Sequence, residues 1–198
     1  MGEVYVRAFP DSIRHFYADR EPNPQALADL FAIVLAAEPE AAQVAEADGA
    51  IAGYCLAPLS LAPIRSEAVA HGHLLRLGWR WLSGSYGLGL PALRALVSDK
   101  LAAWRHQVGE EPGCEARVLS IAVDPVFQGQ GIGRRLLAEA LARLEGLGAP
   151  GVRLEVRPDN PAALGLYERL GFATVGRMAD SQGEWLIMLR RPRSTPEN

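Results

Sequence analysis

The sequence predicts an α/β (α+β) chain: a mixed, mostly antiparallel sheet flanked by helices, with a helical insertion between its third and fourth strands. Three observations carry this expectation. Short alternating segments such as "VRLEV" at 152–156 recur along the chain and mark half-buried strands. Between them lie segments of helical period with start and stop signals, such as "NPQALADLFAIVLAAE" and "RRLLAEALARLEGL". An Asp48-Gly49 pair joins two of the strands, and both residues tolerate the positive φ of a tight hairpin turn.

Composition bounds the class. The chain has 198 residues, 49% hydrophobic and 22% charged, which is globular rather than disordered. One domain over 1–192 is expected, carrying the insertion at 60–113, with a frayed tail at 193–198. The formal net charge of -3 gives no basic surplus, so no nucleic-acid partner is expected. Cys55 and Cys114 stand far apart without metal-ligand spacing. Neither a disulfide framework nor a metal site is expected, and a cytoplasmic location fits. The opening "MGEVYVRAFPDS" has no apolar signal region, and no apolar run reaches the roughly 18 residues that span a bilayer.

Taken in order, "EVYVRAF" alternates, so Glu3 to Phe9 is expected as a first strand. Asn23-Pro24 opens a helix whose inner face would be Leu27, Leu30, Phe31, Val34 and Leu35. Two strands follow, joined at Asp48-Gly49. Within 60–113, Leu74, Leu75, Trp79 and Leu82 share one helical face, and Arg76 and Arg80 another. Pro91 can open a second helix with Leu93, Leu96, Val97, Leu101 and Trp104 on its buried side. Arg117 to Val123 reads as a strand, Asp124 to Gln130 as a loop, and Gly131 to Leu147 as a helix with Leu136, Leu137, Ala140, Leu141 and Leu144 inward. Val152 to Val156 is a strict strand. Asn160 caps the next helix, with Pro161 in its first turn. "EWLIMLRR" closes the sheet.

The run "QGQGIG" at 128–133 sits between a strand and a helix, where so many glycines would weaken either element. Glycines there let backbone N–H groups approach an anion, and the helix start adds unpaired donors and a positive dipole end. The run therefore fits a phosphate or pyrophosphate cradle. The Walker pattern is absent, since Arg134 follows the last glycine instead of Lys and then Ser or Thr. The dinucleotide pattern fails by one residue between Gly131 and Gly133, although Glu155 could serve as its acidic partner.

"VLSIAVDPVFQGQGIGRRLL" followed by "RLEVRPDNPAALGLYERLGF" resembles the GNAT acyltransferase superfamily. It is especially similar to bacterial N-terminal acetyltransferases of the ribosomal-protein type. Gln128, Gly131 and Gly133 match the family's acyl-CoA loop, and Asn160, Tyr167, Gly171 and Phe172 its second motif. The close resemblance spans about 117–178. It implies an acetyl-CoA-dependent N-acetyltransferase with no metal, acting on the primary amine of a small molecule or of a peptide or protein N-terminus. It implies that the backbone of Gln128, Gly129, Gln130, Gly131, Ile132, Gly133 and Arg134 holds the coenzyme A pyrophosphate. It further implies that Ile121, Ala122 and Val123 pair with the pantetheine arm, that Asn160 bonds its amides, and that Tyr167 assists the departing thiolate. The last role is chemically sensible, because a phenol is neutral at pH 7 and can stabilise charge developing on sulfur.

The amine must also lose a proton. Glu155 matches the family's acidic acceptor position, and Glu115 could substitute from the strand before the loop, where Arg117 occupies another family position for the base. Water, His71 and His73 stay open as alternatives. Two departures concern the acceptor. Paired tyrosines that the resembled enzymes carry after the sixth strand are replaced by "RMADSQGE", and about fifty residues replace a short loop at 60–113. That insertion is expected to form a flap over the acceptor side, with a dimer interface as the alternative and a membrane-lying helix as the least favoured. The competing function is an acyl-CoA-binding sensor without turnover, and behind it a nucleotide-binding oxidoreductase. Monomer and homodimer are both compatible with the sequence.

Overall fold

A computed structural model of the chain describes residues 1–17, 23–86 and 114–192. In chain order the elements are α1 (Gly2–Ala8), α2 (Pro10–Tyr17), α3 (Pro24–Ala37), β1 (Ala42–Ala47), β2 (Ala50–Leu56), α4 (Ala62–Ala70) and α5 (His73–Leu82). After the insertion come β3 (Ala116–Arg117), β4 (Ser120–Val123), α6 (Ile132–Gly146), β5 (Val152–Val156), α7 (Pro161–Arg169), β6 (Ala173–Asp180) and β7 (Gly183–Arg190). One sheet runs β1-β2-β4 and the other β3-β5-β7-β6. All pairings are antiparallel except β3 with β5. The mixed, mostly antiparallel sheet flanked by helices is therefore as expected.

The strands alternate between two packed layers. Cys55, Ala57, Val118, Leu154, Val156 and Met188 join Leu136, Leu137, Ala140, Leu141 and Leu144 of α6 in one core. Tyr54, Leu56 and Ala122 point the other way, onto Val4 of α1 and Phe31 and Val34 of α3. Each fully buried leucine of α6 contributes about 1.5–3 kcal/mol of burial, which fixes this helix, and the loop before it, against the sheet.

The N-terminus departs from expectation. Glu3 to Phe9 forms no strand; α1 covers it as a helix. Alternation over so short a run also satisfies helical spacing. Met1, Val4, Tyr5, Ala8 and Phe9 all reach the second core, and Val4 is 2% exposed. A strand would have turned half of them away.

Helix α3 begins where the sequence places it, with the Asn23 side chain accepting from Gln25 N–H. Its inner face is rotated, however: Leu30 is 50% exposed, whereas Ala26, Asp29 and Ile33 are buried. The insertion supplies the reason. The buried Asp29 carboxylate accepts from Tyr86 Oη at 2.6 Å, Arg80 at 2.6 Å and Gln25 Nε2 at 3.0 Å. Burial raises its proton affinity, but these three donors outweigh it and hold the carboxyl below its ordinary value. Arg80 reaches inward from α5 to Asp29, while Arg76 stays exposed. Leu74, Leu75, Trp79 and Leu82, read from the sequence as sharing one helical face, are exposed. The second insertion helix expected from Pro91, with Leu93, Leu96, Val97, Leu101 and Trp104, lies outside the described residues, as does the tail at 193–198.

Gly53 is a position that sequence reasoning passed over. A Cβ there would stand 2.9 Å from the Ala122 carbonyl oxygen and 3.2 Å from Leu136 Cδ1. Only glycine lets β2 lie this close to β4 and α6. Gly53→Ala is expected to cost about 1–3 kcal/mol, or roughly 2–4 °C in Tm per kcal/mol for a chain of this size. A thermal melt checks this, and an unchanged Tm would contradict the packing.

Candidate active site

Arg117 to Val123, expected as one strand, runs along β2 but keeps β5 only at its start. Arg117 N–H bonds Pro58 O and Leu119 N–H bonds Leu56 O, both on the β2 side. On the β5 side the last bond is Val118 N–H to Arg153 O, at 2.9 Å. Beyond it Ser120–Val123 pairs with β2 alone, and β5 pairs onward only with β7. A wedge opens between two strand edges, each presenting unused backbone donors and acceptors.

The wide end of the wedge meets the glycine loop. A short 3-10 turn at Pro125–Phe127 is capped by Asp124, whose Oδ1 accepts from Val126 N–H. Gln128 Nε2 ties back to Val123 O at 3.1 Å. Gly131 is the N-cap of α6, with φ at 76° and no side-chain cap. The first helical backbone bond is Arg135 N–H to Gly131 O. The N–H groups of Ile132, Gly133 and Arg134 thus have no acceptor inside the helix, and the adjoining Gly129 and Gln130 extend the same bare loop. Arg134 is exposed beside it, and Ile132 is buried beneath it. This set of donors fits an anion.

From the sequence, Asp124 reads only as the start of the loop, without a role. It is 5% exposed and pairs through Oδ2 with Arg7 Nε of α1 at 2.8 Å. The N-terminal helix therefore braces the loop, a contact invisible while Glu3 to Phe9 is read as a strand. An Asp directly after a strand and two residues before an N–H turn was the available signal.

Ile121 and Val123 pack toward α6, and Ala122 toward α3. Asn160 caps α7, its Oδ1 accepting from Ala163 N–H at 3.0 Å; its amide nitrogen has no bond among the described residues. Tyr167 is 7% exposed, its ring edge-on to Phe172 at 5.9 Å. Burial pushes its phenol up to about 12, and the nearby Cys55 adds to the rise. Cys55 pairs with Ile121 on β4, so Tyr167 lies toward the wedge.

Glu155 faces the opposite side of the sheet from α6. Its Oε1 receives Arg153 Nε at 2.8 Å and stands 3.7 Å from Arg117. Its Oε2 has no bond among the described residues. Glu115 is not brought to the wedge. It is exposed, bonded to Ser60 Oγ at 2.5 Å, and lies ahead of the closed end of the β3–β5 pair. Five residues of strand separate it from Ser120, roughly 16 Å. His71 and His73 share Glu67 on the insertion, at 2.9 and 3.4 Å.

An N–H cradle following a splayed strand pair, with a buried phenol in the same core, is an arrangement that fits an elongated anionic ligand. The sequence profile of the Acetyltransferase (GNAT) family matches residues 6–172, and the chain belongs to that family. The ribosomal protein bS18-alanine N-acetyltransferase of Salmonella typhimurium is 41% identical over 96 residues, covering 48% of this chain and 64% of that protein. The mycothiol acetyltransferase of Brachybacterium faecium is 45% identical over 88 residues, covering 43% of this chain and 27% of the relative. The chain thus spans less than two thirds of the length of the curated relatives it matches. The solved structure of SsHAT shares the fold, with a TM-score of 0.65 at 22% identity over 96% of this chain and 91% of that one. Among the described residues no helix is long and apolar enough to cross a membrane.

Proposed function

We propose that the protein is a cytoplasmic acetyl-CoA-dependent N-acetyltransferase, a monomer or homodimer, acting on the primary amine of a small molecule or of a peptide or protein N-terminus. The observation that carries this reading is the wedge between β4 and β5, followed in the chain by the bare N–H loop. Gln128 to Arg134 would hold the pyrophosphate of coenzyme A, the open edge at Ile121 to Val123 its pantetheine amides, and Asn160 Nδ2 a further carbonyl. Acetyl-CoA supplies an activated acyl carbon. The amine nitrogen bonds to that carbon, the C–S bond breaks with its electron pair on sulfur, and the ammonium proton passes to Glu155 or to water held by it. Tyr167 gives the sulfur a hydrogen bond or a proton. Both acceptor classes have a counterpart among the relatives, one named for a ribosomal-protein alanine and one for mycothiol.

The test is release of free thiol when the protein meets acetyl-CoA and pools of amines. Binding of acetyl-CoA without release for any amine would refute the transferase reading. The two carboxylates are separated by substitution. Glu155→Gln is expected to lower kcat/KM on the order of 10²-fold at neutral pH. Glu115→Gln is expected to stay near the parent rate, because its carboxylate is bound to Ser60 away from the wedge. If Glu115→Gln proves the damaging change, the assignment of Glu155 is wrong.

A further inference from the structure

Val152, Leu154 and Val156 fill the core on the α6 side, so Arg153, Glu155 and Arg157 lie on the opposite face of the sheet. That is the face by which an amine can approach the wedge without meeting α6 or α7. Glu155 pairs with Ile187 on β7, and Trp185, two residues earlier, lies across from Arg157. The Arg157 guanidinium carbon sits 5.5 Å from the centroid of the Trp185 indole, an attractive stacking distance. The indole is itself fixed, its Nε1 donating to Asp180 Oδ1 at 2.8 Å. The same oxygen also accepts from Gln182 N–H, and Arg157 NH1 donates to the Gln182 carbonyl. Among the described residues, the remaining edge of the guanidinium, Nε and NH2, meets only the exposed carboxylate of Asp159, each at 3.5 Å. That is near the limit of a hydrogen bond. A cation is therefore held rigidly at one end, loosely compensated at the other, and half-buried beside the proposed base. Residues i and i+2 of a strand are about 6.6 Å apart.

We propose that Arg157, clamped on Trp185, is the specificity-determining residue of the acceptor subsite. The acceptor it selects is an amine that carries an anionic group, a carboxylate or a phosphate, about 7 Å from its reactive nitrogen. The amine sits at Glu155, and the anion bonds the Nε and NH2 edge in the two-pronged manner of guanidinium–carboxylate and guanidinium–phosphate pairs. This inference rests on the acetyl-transfer reading and deepens it.

The experiment uses the full chain, acetyl-CoA and matched short peptides with free N-termini. Their second residue is Asp or Asn, Glu or Gln, phosphoserine or Ser. Free-thiol release gives KM, and calorimetric titration of each peptide in the presence of coenzyme A gives affinity without turnover. The acidic member of a pair is expected to show a KM about tenfold lower than its neutral twin, one charge-assisted contact. The carboxylate and phosphate pairs distinguish the two anions. In Arg157→Gln the acidic members' KM should rise until the gap closes, and Arg157→Glu should favour Lys at that position. Equal KM values in the parent protein overturn the proposal. So does a rise in Arg157→Gln shared equally by both twins, since that marks support of the β6–β7 turn. Charge-selective binding with no thiol release for any amine would leave the subsite standing and fault acetyl transfer; release without charge preference would do the reverse.

Discussion

Gly131→Val is expected to erase the thermal stabilisation that acetyl-CoA confers. A ligand that binds only the folded chain, at about 100 times its Kd, stabilises it by about 2.7 kcal/mol. That corresponds to a rise in Tm of about 5–10 °C for a domain of this size. Nothing lies within 4 Å of a Cβ at Gly131, so the substitution meets no wall. The obstacle is the backbone, whose φ of 76° is left-handed and strongly disfavoured for a β-branched residue. Valine would pull the cap toward an ordinary conformation and swing the N–H groups of Ile132 and Gly133 off their common target. The ligand-free Tm should fall by only a few degrees while unfolding stays cooperative, since Gly131 supports no core residue. Differential scanning fluorimetry with and without acetyl-CoA reads both effects. A full shift in Gly131→Val would remove the loop from the cofactor site.

Tyr167→Phe is expected to lower kcat by about 100-fold while leaving acetyl-CoA affinity nearly unchanged. The hydroxyl acts on charge that develops at sulfur only as the C–S bond breaks, so its loss falls on turnover. The ring stays packed on Phe172, so the fold should survive. Because burial pushes the phenol up to about 12, Tyr167 remains a donor through neutral and moderately basic pH. The parent rate should therefore show no Tyr167-dependent fall below roughly pH 11. The same burial gives a stability effect of definite sign. Tyr167 moves from its ordinary value of 10.0 to about 12, and Cys55 from 9.0 to about 12, so the native chain keeps protons that the unfolded chain releases. Their contribution is complete below about pH 9 and is lost as pH rises from 9 toward 12. Thermal melts over that range should fall more steeply for the parent than for Tyr167→Phe. A fully active phenylalanine variant would show that the thiolate leaves unaided.

Local physics made much of this chain legible. Asn23 and Asn160 before Pro24 and Pro161 start helices whatever surrounds them, since a side-chain cap and a fixed φ act within one turn. The Asp48-Gly49 turn takes the positive φ its residues tolerate. The alternation of "VRLEV" and the period of α6 are strong enough that β5 and the core leucines fall where expected. The bare loop at 128–133 is equally a local statement, because only glycines free the backbone donors there.

What the tertiary structure alone decided are choices among partners that local pattern leaves equal. The first nine residues fit a strand or a helix, and the core beside Phe31 and Tyr54 selects the helix that carries Arg7 to Asp124. Nothing in "ARVLSIAV" says that β5 keeps its bond to Val118 N–H and none beyond it while β2 pairs on to Val123, yet that loss of one neighbour opens the wedge. The inward reach of Arg80 from α5 answers a buried carboxylate 51 residues earlier in the chain, at Asp29, and the stack of Arg157 on Trp185 depends on strand register. Each of these is a contact between residues distant in sequence. Its energy depends on burial and hydrogen-bond satisfaction in the assembled molecule, which no short stretch of sequence contains.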